Sequence, residues 1–256
     1  MAFGSVFSKF KEFQATTADE KIINIKNSFI TRLGFKILGV PHIGIRIRAR
    51  KIIKNSKNKI NSLLDAGCGT GAYSFYFSHK ADRINAVDIS KEKINYLNKE
   101  NIFRNINFSI ADLCSLPFSK NSFDEIICSD VLEHIKNDKK AISELARVLK
   151  KDGILLITVP YKSKSNMKSY KQFNHERAGY TWGDFESISE KLRLKITTCE
   201  GYSYPTADKI SNFSYKFINK KIILGIIFYP LYLAALLFDF FKIDEPNGLF
   251  VKFKKI

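Results

Sequence analysis

LLDAGCGTG, residues 63–71, decides how this chain is read. An apolar run ends on Asp65, and the chain then turns through Gly67, Gly69 and Gly71. Glycines there let the backbone approach a ligand closely at the N-terminus of the following helix, the arrangement of a nucleotide-binding βα turn. By themselves the glycines also fit a dinucleotide fingerprint, since Gly67, Gly69 and Ala72 keep its spacing. Asp65 divides the two readings. A carboxylate at the mouth of the turn repels a pyrophosphate and suits a ligand that brings positive charge.

Outward from that turn, β-rich runs alternate with helical ones: NSLLDAG, GAYSFYFSHK, INAVDIS, KEKINYLNKEN, INFSIAD, FDEIICSD, KKAISELARVLKK and GILLITVP. The alternation predicts a βαβ series, hence an α/β fold with a parallel sheet covered by helices on both faces. Ser90 is the expected cap of the helix after AVDIS, and Gly153 the expected left-handed residue closing AISELARVLKK. The polar stretch after Pro160 reads as a loop or lid. TWGDFESISEKL restarts a helix, with Thr181 and Asp184 spaced as a capping box. LKITTCEGYSY and GLFVKFKKI read as two further strands. Asp88, ending the second strand, is placed to accept from ribose hydroxyls. Asp112, after the third, is placed to accept from a base amino group, with Ile89 and Leu113 as walls for the ring.

A hydrophobic content of 45% in 256 residues supports one large domain, or one with an appendage. The expected division is 1–61 as basic N-terminal helices forming a cap, 62–204 with 248–256 as the sheet domain, and 205–247 as an apolar helical insert. The net charge of +17 calls for an anionic partner, and it sits at the ends. Residues 1–61 hold 13 basic and 3 acidic side chains, and residues 209–256 hold 8 and 3. Phe3, Val6, Phe7, Phe10 and Phe13 recur at helical spacing beside lysines, a pattern that either packs on the sheet or faces an anionic leaflet. Residues 222–241, IILGIIFYPLYLAALLFDFF, carry one charge and are long enough to span a bilayer, but Gly225, Pro230 and Asp239 interrupt them. If the strands on either side share one sheet, the chain must leave that sheet and return. That favours a hairpin or helix pair on a membrane surface, with a buried cap or a true span as the other readings. Cys68, Cys114, Cys128 and Cys199 form no CxxC pair and do not cluster with the histidines in sequence, so no metal site and no disulfide framework are expected. Reduced thiols and an N-terminus without an export signal predict a cytoplasmic protein, in peripheral contact with the cytoplasmic face of a membrane.

LLDAGCGTG, AVDIS, ADLCSLPFSKNSFDEIICSDVLEHI and ELARVLKKDGILLITVP, taken together and in this order, resemble the class I S-adenosylmethionine-dependent methyltransferases, in particular the broad group with the quinone-biosynthesis C-methyltransferases. The resemblance covers about residues 60–160. Its cofactor carries an ammonium and a sulfonium and no phosphate, which agrees with Asp65. The resemblance implies a Rossmann-like, doubly wound, seven-stranded sheet, mostly parallel, whose antiparallel last strand is inserted beside the one before it. It further implies that Asp65, Gly67 and Gly69 line the methionine end, with Ala66 and Cys68 as cofactor-binding residues of the same turn, that Asp88 holds the ribose, that Asp112 approaches adenine between Ile89 and Leu113, and that Ser129 follows the fourth strand beside the cofactor.

The resemblance thins beyond Pro160, where such enzymes take their acceptor residues. In HERAGYTW, residues 175–182, His175, Arg177 and Tyr180 offer a base, an anion clamp and a hydroxyl. Equally, Glu176 and Arg177 pair on the surface while Tyr180 anchors the loop. His134, after the fourth strand, is the second candidate base or an orienting residue. The chain is thus expected to methylate a small or lipid-linked acceptor at a membrane surface. RNA methylation is the alternative, resting on charge alone; after the fourth strand stands SDVLEH, with no Asn-Pro-Pro-aromatic sequence. A non-catalytic cofactor-binding protein is the third reading, disfavoured by the intact Asp65, Gly67, Gly69 and Asp88.

Overall fold

β1 (Ile60–Ala66) is buried at every position except Asn61, as a near-continuous apolar run at the centre of a parallel sheet must be. The computed structural model describes residues 43–205, 209 and 245–256. Around β1 it shows β2 (Ala81–Asp88) pairing in parallel on one side and β4 (Phe123–Ser129) on the other. β3 (Ile106–Ile110) pairs with β2, and β5 (Leu149–Pro160) with β4, again in parallel. β7 (Gly248–Lys255) runs antiparallel to β5 and lies between it and β6 (Leu194–Tyr202). The order β3-β2-β1-β4-β5-β7-β6 is the seven-stranded sheet with an inserted antiparallel strand that the resemblance implied. Because the order runs outward in both directions from β1, the switch point lies between β1 and β4, and a ligand crevice opens at their C-terminal ends.

The connecting helices follow from apolar spacing and caps. They are α1 (Ile43–Asn55), α2 (Ala72–Phe77), α3 (Lys91–Glu100), α4 (Asp138–Val148), α5 (Lys164–Ser169) and α6 (Trp182–Leu192). α4 buries Ala141, Ile142, Leu145, Ala146 and Val148, one stripe at helical spacing, into a core shared with Leu64, Ile126, Ile157 and Phe253. Ser90 caps α3 by accepting from the Lys93 amide, and Thr181 and Asp184 form the reciprocal box at the start of α6. Gly153 departs from expectation. α4 ends at Val148 and the chain enters β5 directly, and the left-handed residue is Asp152, at φ 60°. Gly153 is needed for close approach instead, because a Cβ there would stand 2.7 Å from the Lys150 carbonyl oxygen.

The chain divides into two compact units. Ile52–Glu200 with Gly248–Ile256 form the sheet unit; Met1–Lys51 with Gly201–Asn247 form the other, of which only the margins are described. Within those margins the Asn247 amide donates to the Ser203 carbonyl at 3.0 Å, so the segment between them leaves and re-enters at one place. The basic helices expected before residue 43 and the apolar run 222–241 lie outside the described residues. Among the described residues no helix is long and apolar enough to cross a membrane.

Candidate active site

Asp65, next to last in β1, is almost fully buried, and its Oδ2 accepts from the Ser74 amide at 3.0 Å and the Ser74 hydroxyl at 2.6 Å. The strand end is thereby tied to α2. Burial raises this carboxyl from 3.8 to about 6; the Ser74 bonds act in the opposite direction, and the charge of Asp88 adds to the rise. The turn beyond it needs its glycines: Gly67 and Gly69 sit at φ +74° and +53°. The amides of Gly67 and Cys68 both donate to the Val87 carbonyl at 2.8 Å, with Ala66 buried beneath. A Cβ on Gly67 would lie 2.4 Å from Val131, whereas one on Gly69 would meet nothing within 4 Å. The loop is therefore packed against the segment after β4 and open at Gly69. The Cys68 thiol is buried, and burial pushes its pKa far up, leaving an inert packing group.

Asp88 ends β2 with one oxygen accepting from the Gly69 amide and the other from the Ser90 amide, both at 2.9 Å. It fastens the glycine loop to the start of α3. Ile89, 74% exposed beside it, is an apolar side chain left open at the mouth of the crevice. Asp112 is exposed, its Oδ1 accepting from the Cys114 amide. Leu113 departs from expectation as a ring wall: it is 5% exposed and belongs to the core, because the chain turns inward there. The exposed apolar neighbour on this strand is Ile110. Ser129 ends β4 with its hydroxyl 2.8 Å from that of Thr158, which donates to Asp130 at 3.0 Å, and within 3.4 Å of the Tyr73 hydroxyl. Tyr73, Asp130 and Thr158 were not singled out in the sequence. Thr158 was legible as the polar residue in the apolar run GILLITVP.

His134 and His175 come together. Their ring centroids are 4.7 Å apart and nearly perpendicular, and His134 Nδ1 lies 3.1 Å from the Asn174 carbonyl. The Glu176 amide donates to the Glu133 carbonyl at 2.8 Å, which seats the later loop on the turn Leu132–His134. The expectation of no metal site rested on the spacing of the cysteines, none of which is involved here; the fold-back brings together Glu133, His134 and His175, whose ligand atoms lie within 4.8 Å of one another. Burial, with His134 beside it, lowers the pKa of His175. Tyr180 is the other departure. It is fully buried, its hydroxyl donates to Asp138 at 2.8 Å, and its ring is covered by the Arg177 guanidinium at 3.8 Å. Arg177 in turn pairs with Asp138 at 2.7 Å and Asp184 at 3.3 Å. Both residues fasten the loop to the N-termini of α4 and α6, and neither side chain joins the histidine pair.

Residues 64–157 match the family described as a methyltransferase domain. Over this stretch the chain is similar to the class I S-adenosylmethionine-dependent methyltransferases. The chain is 33% identical, over 42% of its length and 48% of the relative's, to a ubiquinone/menaquinone biosynthesis C-methyltransferase of Rickettsia prowazekii. It is 32% identical, over 54% and 53%, to a malonyl-[acyl-carrier protein] O-methyltransferase of Buchnera aphidicola. A solved S-adenosylmethionine-dependent methyltransferase of Mesorhizobium loti shares the fold with a TM-score of 0.58 at 15% identity, covering 80% of this chain and 96% of the other. The chain spans only 40 to 60% of the length of the first curated relatives it matches.

The residues of this methyltransferase domain fit S-adenosylmethionine. The edge at Gly69 is open, Asp65 would supply negative charge towards the cationic end, Asp88 stands at a strand end where ribose hydroxyls would lie, and Ile89 leaves an apolar face for a nucleoside ring.

Proposed function

We propose that this chain transfers a methyl group from S-adenosylmethionine to an acceptor held against the His134–His175 pair, and that the acceptor is a small or lipid-linked molecule reached at a membrane surface. One observation carries the first part: the segment bearing Val131 packs on Gly67, and the next residues bring His134 to His175. In this reading Asp65, Gly67 and Gly69 hold the methionine end, Asp88 the ribose, Ile89 and Asp112 the adenine, and Ser129 the wall beside β4. When bound, the cofactor would supply an electrophilic methyl carbon whose bond to sulfur breaks, its electron pair staying on sulfur, as the bond from the acceptor forms, and an imidazole of the His134–His175 pair would take the proton that the acceptor loses. The protein's part is alignment in a site kept from water. Arg177 and Tyr180 hold the loop that covers the site, and the imidazoles present their nitrogens to the acceptor.

The second part rests on the sequence. The single charge in residues 222–241 and the 13 basic residues before residue 62 suit an anionic, apolar surface, with 1–61 and 205–247 as the docking segments of a peripheral, cytoplasmic-face protein. The Rickettsia relative is named for ubiquinone and menaquinone biosynthesis, which favours an acceptor of that kind. The test is to incubate the purified chain with methyl-labelled S-adenosylmethionine and a cell lysate, then count lipid extract, RNA, protein and small metabolites separately. Label is expected in the lipid extract. Label in RNA would overturn the lipid assignment, and no label in any fraction, with the cofactor still bound by calorimetry, would overturn methyl transfer itself.

A further inference from the structure

We propose that Glu133, His134 and His175 bind one divalent transition-metal ion beside the glycine loop. Each offers one ligand atom, and the three atoms lie within 4.8 Å of one another. Ligands of a tetrahedral zinc-like ion, at about 2.0–2.2 Å from it, stand roughly 3.4 Å apart. The difference from 4.8 Å is at most about 1.4 Å, within the reach of small rotations of the three side chains. The orientation of His134 is already that of a ligand. A carbonyl can only accept, so the contact with Asn174 places the proton on Nδ1 and leaves Nε2 as the ring's acceptor. The carboxylate belongs to a residue that is 1% exposed, so it meets an ion in a medium poorer in water than the surface.

Backbone, not side-chain chance, holds the three together. The His134 amide donates to the Val131 carbonyl at 3.0 Å, the Glu176 amide to Glu133 at 2.8 Å, and the His175 amide to Tyr170 at 3.2 Å, with Asn174 bent into the left-handed region at φ 54°. Two imidazoles and one carboxylate form a borderline donor set. It suits zinc, cobalt(II) or iron(II) and leaves magnesium and calcium, which prefer oxygen ligands, at a disadvantage. Three protein ligands also leave coordination positions open, and the site's net charge of +1 once the ion is bound attracts an acceptor oxygen. The role of the ion in holding and activating the acceptor rests on the methyl-transfer reading above; its binding does not.

The experiment uses the untagged full chain, stripped with EDTA and titrated with cobalt(II), followed by its visible ligand-field bands, and with zinc by calorimetry. One equivalent is expected to bind. His134→Ala and His175→Ala should each weaken binding at least tenfold while S-adenosylmethionine affinity, read separately, stays within about twofold and so certifies the fold. Glu133→Gln, which keeps size and removes charge, should weaken it as well. Wild-type binding no tighter than that of the double histidine variant would overturn the site. The two readings fail separately: cobalt bound with no label transferred anywhere sinks methyl transfer and leaves the site, and label transferred at an undiminished rate in EDTA without cobalt binding does the reverse.

Discussion

Asp65 is a carboxylate whose surroundings oppose its own charge. Its folded value of about 6 lies above the unfolded 3.8, so the folded chain holds the extra proton between them. The resulting stability is fully present below pH 3.8 and is lost as pH rises through 6, leaving at neutral pH a buried charge that costs on the order of 3 kcal/mol. Asp65→Asn keeps an oxygen for Ser74. It should raise unfolding stability in urea at pH 7.5 by about 1–2 kcal/mol and change little at pH 4. The same variant should bind S-adenosylmethionine more weakly, and wild-type affinity should climb with pH through 6 where the variant's stays flat. Equal destabilisation at both pH values would remove the assignment. Asp65 was legible because a charge closing an apolar run has few innocent explanations. Its tie to Ser74 was not, since nothing in the spacing shows that the carboxylate turns back onto its own following helix. Leu113 was misread for the same reason: position in a motif does not give the direction of a side chain.

At the scale of elements, the side-chain caps were legible, whereas the glycine stop at Gly153 and the path of the polar loop were not. The caps at Ser90 and at Thr181 with Asp184 depend on residues three apart and appear as expected. The meeting of His134 with His175 depends on how a polar loop returns over the turn after β4, and a stretch such as YKSKSNMKSYKQFNHERAG carries no periodicity that would fix its path. Tyr180 illustrates the outcome. Read as a hydroxyl over the methyl or as a loop anchor, it proves to be buried between Arg177 and Phe185 with its hydroxyl on Asp138. Tyr180→Phe should therefore cost about 1 kcal/mol in urea unfolding, since Asp138 keeps Arg177, and should leave kcat within a few-fold. A hundredfold fall in kcat with unchanged stability would return the hydroxyl to the acceptor.

For the whole molecule, the sheet had to be completed by a strand from beyond the apolar run, and β7 does complete it by pairing with β5 from Ile154–Lys254 to Pro160–Gly248. The chain on the near side of the run ends beside the chain on the far side, with Asn247 bonded to Ser203. Removing residues 222–241 therefore shortens a segment whose described margins already meet, and joining them through a shorter chain adds little or no entropic cost. The deletion variant should keep its sheet, its cooperative unfolding and its affinity for S-adenosylmethionine. Wild-type protein should sediment with anionic vesicles at low salt and release as ionic strength shortens the reach of its basic ends, whereas the variant should remain in the supernatant at every salt concentration. A molten deletion variant would make the run a cap over the acceptor, and wild-type protein left in the supernatant at low salt would sink the membrane surface altogether. The vesicle result also bears on the acceptor, because a chain that must dock to act should methylate a vesicle-borne acceptor faster than the same acceptor in detergent, and only while residues 222–241 are present.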